Sequence, residues 1–154
     1  GLVWRGLFKH VCAEAHRLGL EVNMNNDAGW CGSGGTWITP EMQEAYVTLH
    51  GLGYAHSVES WFDGTLMGGL YGVSLGKAFF GESMFHRKTD ASKVALAVLV
   101  EKLQGWGFHF IDSQMTTDHM HRLGAEEIPR RIFLKKLHSA LRHATRRGKW
   151  HIED

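Results

Sequence analysis

Few residues of this 154-residue chain combine a reactive side chain with a position that demands explanation. The first is Glu82, a carboxylate inside the otherwise apolar run Ala78-Phe79-Phe80-Gly81-Glu82-Ser83-Met84-Phe85. A charge in such a run must be paired, neutralised by a raised pKa, or held ready for a ligand. Arg87 and Arg131 are the candidate ion-pair partners. The second is Asp112 with Gln114, which follow the apolar segment Phe108–Ile111. Ligands collect at the carboxyl ends of strands in open α/β sheets, and a spacing of two puts both side chains on one face. An Asp there can orient or deprotonate a nucleophile and a Gln can hold a carbonyl or the Asp itself, while an Asp that merely caps a turn is the plainer alternative. His119 and His121 stand two apart with no Cys, Asp or Glu at a zinc spacing, so no metal site is expected. There is no Gly-x-Ser-x-Gly elbow and no phosphate loop. Gly68-Gly69 and Gly72 mark either a bulge or the close approach of another backbone or a ligand.

The elements that must position these groups follow from periodicity and turn chemistry. Leu7, Phe8, Val11, Ala15 and Leu18 recur at helical spacing over residues 4–18, and Gly19 ends that run. A short strand is expected at 20–24, then a loop over 25–35 rich in Asn, Gly, Asp and Ser. Thr39-Pro40-Glu41 reads as N-cap, first helical residue and dipole-favoured acid of a helix running to Gly51. Strands are expected at 56–62, 66–73 and 78–85, the first two joined by Asp63-Gly64 in a type I′ turn, the last two by a turn near Gly76. A helix over 91–104, a buried strand over 108–112, a short helix over 118–123 and a basic amphipathic helix over 129–146 complete the chain. The order strand-strand-strand-helix-strand, flanked by helices, predicts an α/β (α+β) architecture around one mixed, mostly antiparallel sheet. That is the order of the GCN5-related acyltransferase-like fold.

Bulk properties agree with a single globular domain over 1–154. Hydrophobic residues make up 44% and charged residues 21%, and no apolar run approaches the roughly 20 residues of a membrane span. Leu2–Leu20 is broken by Arg5, Lys9, Glu14 and Arg17, so no signal peptide is read there. Cys12 and Cys31 form no metal or disulfide framework and point to a reducing, cytoplasmic setting. Net charge is only +1, but Arg130, Arg131, Lys135, Lys136, Arg142, Arg146, Arg147 and Lys149 crowd the last quarter. Such a stretch either meets nucleic-acid phosphates or is a solvated helix face. Members of the acyltransferase-like fold that use coenzyme A cradle its pyrophosphate on a glycine-rich turn after the third of these strands. Here the turn is His86-Arg87-Lys88-Thr89-Asp90-Ala91-Ser92, which has no glycine, so coenzyme A fits poorly and no cofactor is expected.

Several stretches, in order, resemble one family, the bacterial leucyl/phenylalanyl-tRNA–protein transferases. They are Gly35-Thr36-Trp37-Ile38-Thr39, His56-Ser57-Val58-Glu59, Gly68-Gly69-Leu70-Tyr71-Gly72-Val73, Gly81-Glu82-Ser83-Met84-Phe85 and Ala91-Ser92-Lys93. They continue with Ile111-Asp112-Ser113-Gln114, Asp118-His119, Leu123-Gly124-Ala125 and Ile128-Pro129-Arg130-Arg131, so the resemblance spans about 35–133. It implies transfer of Leu or Phe (Met less well) from aminoacyl-tRNA to the α-amine of a protein beginning with Arg or Lys, which marks that protein for degradation by the N-end rule. It implies that Glu82 holds the α-amino group of the incoming aminoacyl moiety and that Asp112 and Gln114 are the catalytic pair. An apolar pocket for the transferred side chain would draw on Leu70, Phe79, Leu96, Leu99, Leu103 and Ile111, with core packing as the other use of the same residues. Trp37 either stacks on the terminal adenosine or is a core residue. Arg130, Arg131, Lys135, Arg142 and Arg146 are the expected tRNA contacts.

The chain departs from the family pattern in three respects. Some members carry Met or Phe where this chain has Leu70, Leu99 and Leu103, which shifts the expected preference among Leu, Phe and Met. The small N-terminal domain of the family is not seen before Val22-Asn23-Met24-Asn25, and the stretch from there to Gly35 is several residues short. A core completed from elsewhere, or one that serves a different small-molecule or peptide amine, is the alternative this raises. A coenzyme-A-dependent acyltransferase and a non-catalytic RNA-binding relic are the rival classes, and a monomer is expected.

Overall fold

The computed structural model describes residues 20–23, 40–113 and 116–151. The helix expected over 4–18, the loop over 25–35 and the Thr39 cap lie outside the described residues. Strand β1 (Leu20–Asn23) is followed by helix α1 (Pro40–Gly51), with Glu41 in its first turn near the positive end of the helix dipole. Then come β2 (Ala55–Phe62), β3 (Thr65–Leu75) and β4 (Ala78–His86). Asp63 and Gly64 join β2 to β3 with φ of 48° and 67°, the paired positive values that a type I′ turn requires. Helix α2 (Ala91–Gly105), strand β5 (Phe110–Asp112), helix α3 (Asp118–Arg122) and helix α4 (Arg130–Ala140) follow. No described helix is long and apolar enough to cross a membrane.

The strands form one sheet in the order β1-β2-β3-β4-β5, antiparallel through β4 and parallel between β4 and β5. Cross-strand register sorts the side chains. Val58, Leu70 and Met84 stand opposite one another, and Phe79 pairs with Ser74 further along the same face. This face packs on α2: Val58, Leu70, Phe79, Ala95, Leu99, Leu103 and Trp150 form the buried core, flanked by Leu96, Trp106, Phe108 and Ile111. Fully burying each large apolar side chain contributes about 1.5–3 kcal/mol, so this layer is the main source of stability. Helix α2 approaches the sheet so closely that a Cβ at Gly68 would lie 2.7 Å from the Ala91 Cβ. The Ser60 hydroxyl donates to the Ala91 carbonyl at 2.8 Å, fixing the height of the helix start.

Two expectations need correction. The basic helix does not reach Arg146; it ends at Ala140. The Ala140 carbonyl accepts from the His143 N–H at 3.2 Å in a tightened last turn and from the Lys77 backbone N–H at 3.1 Å, and Thr145 Oγ1 accepts from the Gly76 N–H at 2.8 Å. Gly76, at φ 57°, allows this closeness, since a Cβ there would fall against the Ala140 carbonyl. Residues 141–150 therefore run back across the sheet end as a strap and deliver Trp150, 1% exposed, to the core. The last strand was also expected to be buried over 108–112. It pairs only over Phe110–Asp112 and is half-buried, because it is an edge strand with one hydrogen-bonded neighbour. Its outer side is partly covered by Phe133, whose ring meets that of Phe110 edge-on at 5.7 Å.

Candidate active site

The residue that stands out in sequence is set apart by the backbone as well. Tyr71 pairs with Ser83 but Gly72 pairs with Gly81, so Glu82 is the extra residue of a β-bulge in β4. A bulge turns its strand and re-aims the side chain it carries. It also resets the alternation, which is why Ser83 falls on the face opposite Phe79 while Met84 returns to the core. On the other side of β4 the parallel pairing with β5 stops at Phe80↔Asp112. From Gly81 onward β4 continues without β5 beside it, and Asp112 lies at the point where the two strands part.

Glu82 is half-buried, and its partner is neither Arg87 nor Arg131 but the Tyr46 hydroxyl of α1. The Tyr46 pKa is pushed well up, first by burial and then by its hydrogen bond to, and the negative charge of, Glu82. Tyr46 also packs edge-on against Tyr71, ring centroids 5.3 Å apart at 78°. One neutral hydroxyl leaves the Glu82 carboxylate with further acceptor capacity and its charge uncancelled by that partner.

On the same face, two strands further in on β2, is a carboxylate that sequence reasoning did not assign a role. Glu59 is 4% exposed, accepting from the Ser57 hydroxyl at 3.3 Å and from Trp61 Nε1–H at 3.1 Å. The period-two spacing of Ser57, Glu59 and Trp61 was the available signal. A cavity of about 10 Å³, room for about one water, lies between Glu59, Tyr71 and Ser83. Tyr46 was missed too, because nothing in a largely exposed helix marks one tyrosine as a neighbour of Glu82.

The remaining expected residues divide cleanly. Leu70, Phe79, Leu96, Leu99, Leu103 and Ile111 do come together, packed against one another in the core layer. Trp37 and Gln114 lie outside the described residues. Arg130, Arg131 and Lys135 are exposed on α4, whereas Arg142 and Arg146 are exposed beyond its end. Arg146 lies over the Trp106 ring at 4.2 Å, and Arg142 Nη2 is 3.2 Å from His138 Nε2. His119 and His121 are exposed on α3, and among the described residues no group of three or more His, Cys, Asp or Glu could hold a metal. Beside Asp112 opens a cleft of about 610 Å³, walled by Met120, Glu126, Glu127, Ile128 and Phe133, with Arg130 at its edge.

An antiparallel run closed by a parallel β4–β5 pair, parted beside a bulged β4 and backed by α2, defines an acyltransferase-like α/β domain. Among solved structures, an aminoglycoside acetyltransferase from an uncultured soil metagenomic sample, in complex with sisomicin, matches 75% of this chain and 94% of its own length. Its TM-score is 0.54 and its identity 12%, a likeness of fold alone. The family is settled by sequence: residues 23–138 match the family model for leucyl/phenylalanyl-tRNA protein transferase, and the chain belongs to that family. A leucyl/phenylalanyl-tRNA–protein transferase of Myxococcus xanthus is 63% identical over 119 residues, which is 77% of this chain and 51% of that protein. The corresponding protein of Oleidesulfovibrio alaskensis is 53% identical over 150 residues, 94% of this chain and 55% of its own length. The chain thus spans about half the length of the curated relatives it matches.

Proposed function

We propose that this chain carries the catalytic core of an aminoacyltransferase that moves Leu or Phe, and Met less well, from aminoacyl-tRNA to the N-terminal amine of a protein beginning with Arg or Lys. The observation that carries this reading is the bulged, half-buried Glu82 beside the place where β4 and β5 part at Asp112. A carboxylate with spare acceptor capacity suits the α-ammonium group of an aminoacyl ester, since a charge-assisted hydrogen bond is about twice as strong as a neutral one. With the amine on Glu82, the ester carbonyl falls toward the gap between the strands.

In the reaction the acceptor nitrogen attacks that carbonyl, a C–N bond forms, and the C–O bond to the terminal ribose breaks. The proton lost from nitrogen ends on the leaving ribose oxygen, so the transfer is balanced without a cofactor. Asp112 accepts a hydrogen bond from the attacking amine and aims its lone pair, and Gln114 holds Asp112 or the carbonyl. The side chain of the transferred residue reaches the apolar group of Leu70, Phe79, Leu96, Leu99, Leu103 and Ile111, with Trp37 against the terminal adenosine. Arg130, Arg131, Lys135, Arg142 and Arg146 meet tRNA phosphates, on two surfaces rather than one. The protein acts as a monomer in the cytoplasm, where aminoacyl-tRNA is found, and tags proteins for degradation.

The test is transfer of labelled leucine from leucyl-tRNA to a peptide that begins with Arg. Label in that peptide, and little in an Ala-initial one, is the expected result. Bound leucyl-tRNA with no label in either peptide points instead to a different small-molecule or peptide amine as acceptor.

A further inference from the structure

The cleft beside Asp112 is the largest opening described above, and none of the roles assigned so far uses more than its edge. Its walls are of two kinds. Met120, Ile128 and Phe133 supply apolar surface, and Ile128 is 38% exposed, a large aliphatic side chain left in water at the cleft. Glu126 and Glu127 supply carboxylates, both exposed. Among the described residues neither has a hydrogen-bond or ion-pair partner, and Arg130, in the same cleft, pairs with neither. Together with Asp112 that is three acids against one guanidinium.

A ligand that fits such a cleft has a long apolar stem and a cationic head. A phosphate fits poorly, because net negative charge repels it. We propose that this cleft seats the first residue of the acceptor, and that Glu126 and Glu127 select a basic side chain there. The inference rests on the aminoacyl-transfer reading above, which supplies an amine acceptor, and it adds the residues that read what that amine belongs to. The α-amine stays at Asp112, at the inner end of the cleft, while the side chain lies along Met120, Ile128 and Phe133. Its charged end meets the two glutamates, which are exposed and so can serve either a guanidinium or an ammonium group. Selection then comes from matched charge more than from tight geometry.

The experiment compares two acceptor peptides that differ only at the first residue, Lys or norleucine, which share a four-carbon stem. Transfer of leucine from leucyl-tRNA is measured in the intact protein and in Glu126→Gln, Glu127→Gln and the double variant. The readout is the ratio of kcat/KM for the two peptides, which does not depend on how much protein has folded. The expected result is a Lys preference that falls roughly three- to ten-fold in the double variant, mostly through KM. That is the size of one or two solvent-screened charge pairs. The preference should also shrink as salt is raised, and Glu126→Lys with Glu127→Lys should favour a Glu-initial peptide over the Lys-initial one. A Lys preference that is unchanged in every variant overturns this inference and leaves aminoacyl transfer standing. An intact protein that moves leucine to no amine at all, hydroxylamine included, overturns both.

Discussion

The two ends of the sheet treat polar groups in opposite ways. At the end closed by the C-terminal strap, Trp150 stacks on His56 with ring centroids 3.6 Å apart and 10° between planes, and Trp106 and Phe108 meet Trp150 edge-on. His56 is 2% exposed and neither ring nitrogen has a hydrogen-bond partner of normal geometry. Burial, helped by the neighbouring His50, holds its pKa down to about 3, with the Gly53 backbone opposing weakly. At the other end Glu82 and Asp112 are only half-buried, and β4 and β5 part between them. The first end gives up polar satisfaction to gain packing. The second gives up packing to keep polar groups available. A histidine sealed in the core bears on stability, whereas a half-buried carboxylate beside a gap stands where a ligand can reach it.

The sharpest way to break that contrast is to alter one residue at each end. Asp112→Asn keeps the shape of the open end and should lower leucine transfer about 10²- to 10⁴-fold, the range for a group that handles the reacting proton or lone pair. The melting temperature should barely move, and a large fall in it would move Asp112 to the structural side. Trp150→Ala should do the reverse, costing about 3–5 kcal/mol of stability in denaturant unfolding, as large aromatic deletions from a core do. The strap cations should also become more exposed to proteolysis.

A third prediction uses pH. The folded-state pKa of His56, about 3, lies below the ordinary 6.5, so the unfolded chain takes up a proton first on acidification. The contribution of His56 is therefore full above about pH 6.5 and is lost as pH falls toward 3. Its slope is at most about 1.4 kcal/mol per pH unit. His56→Phe, which keeps the ring stack without the titration, should flatten that part of the stability profile. A profile identical to the unaltered protein would mean that His56 is not sealed in the core. The smallest effect is expected for Tyr46→Phe. Losing a hydrogen bond to a charged group costs about 1.5–3 kcal/mol, less here because Glu82 is half open to water. It should appear mainly in KM for leucyl-tRNA.

The strands and their order were legible because turn chemistry is local. Asp63-Gly64 specifies its hairpin, and the apolar residues around Leu99 repeat at helical spacing whatever they pack on. Glu82 and Asp112 were legible for a related reason, since one interrupts an apolar strand and the other ends one. The end of α4 was not legible, because the Ala140 carbonyl there is shared between His143 and Lys77, and the second is a contact far apart in sequence. The bulge was equally hidden: it depends on register between β3 and β4, and only it explains why Glu82 and Ser83 break the alternation. Tyr46 and Glu59 escaped notice because their meaning comes from what lies across the sheet face. The apolar set from Leu70 to Ile111 does pack together, but periodicity cannot separate a substrate pocket from a core that shares its residues.

The most direct test of the central claim, that Glu82 holds the donor amine while Asp112 acts on the acceptor, is single-turnover transfer with Glu82→Gln and Asp112→Asn side by side, using leucyl-tRNA and an Arg-initial peptide. Glu82→Gln should weaken binding of leucyl-tRNA toward that of uncharged tRNA, with much of the rate recovered at high leucyl-tRNA. Asp112→Asn should bind leucyl-tRNA normally and stay slow at every concentration. Two variants with the same pattern, or full transfer by either one, would contradict the division of labour across the β4–β5 gap.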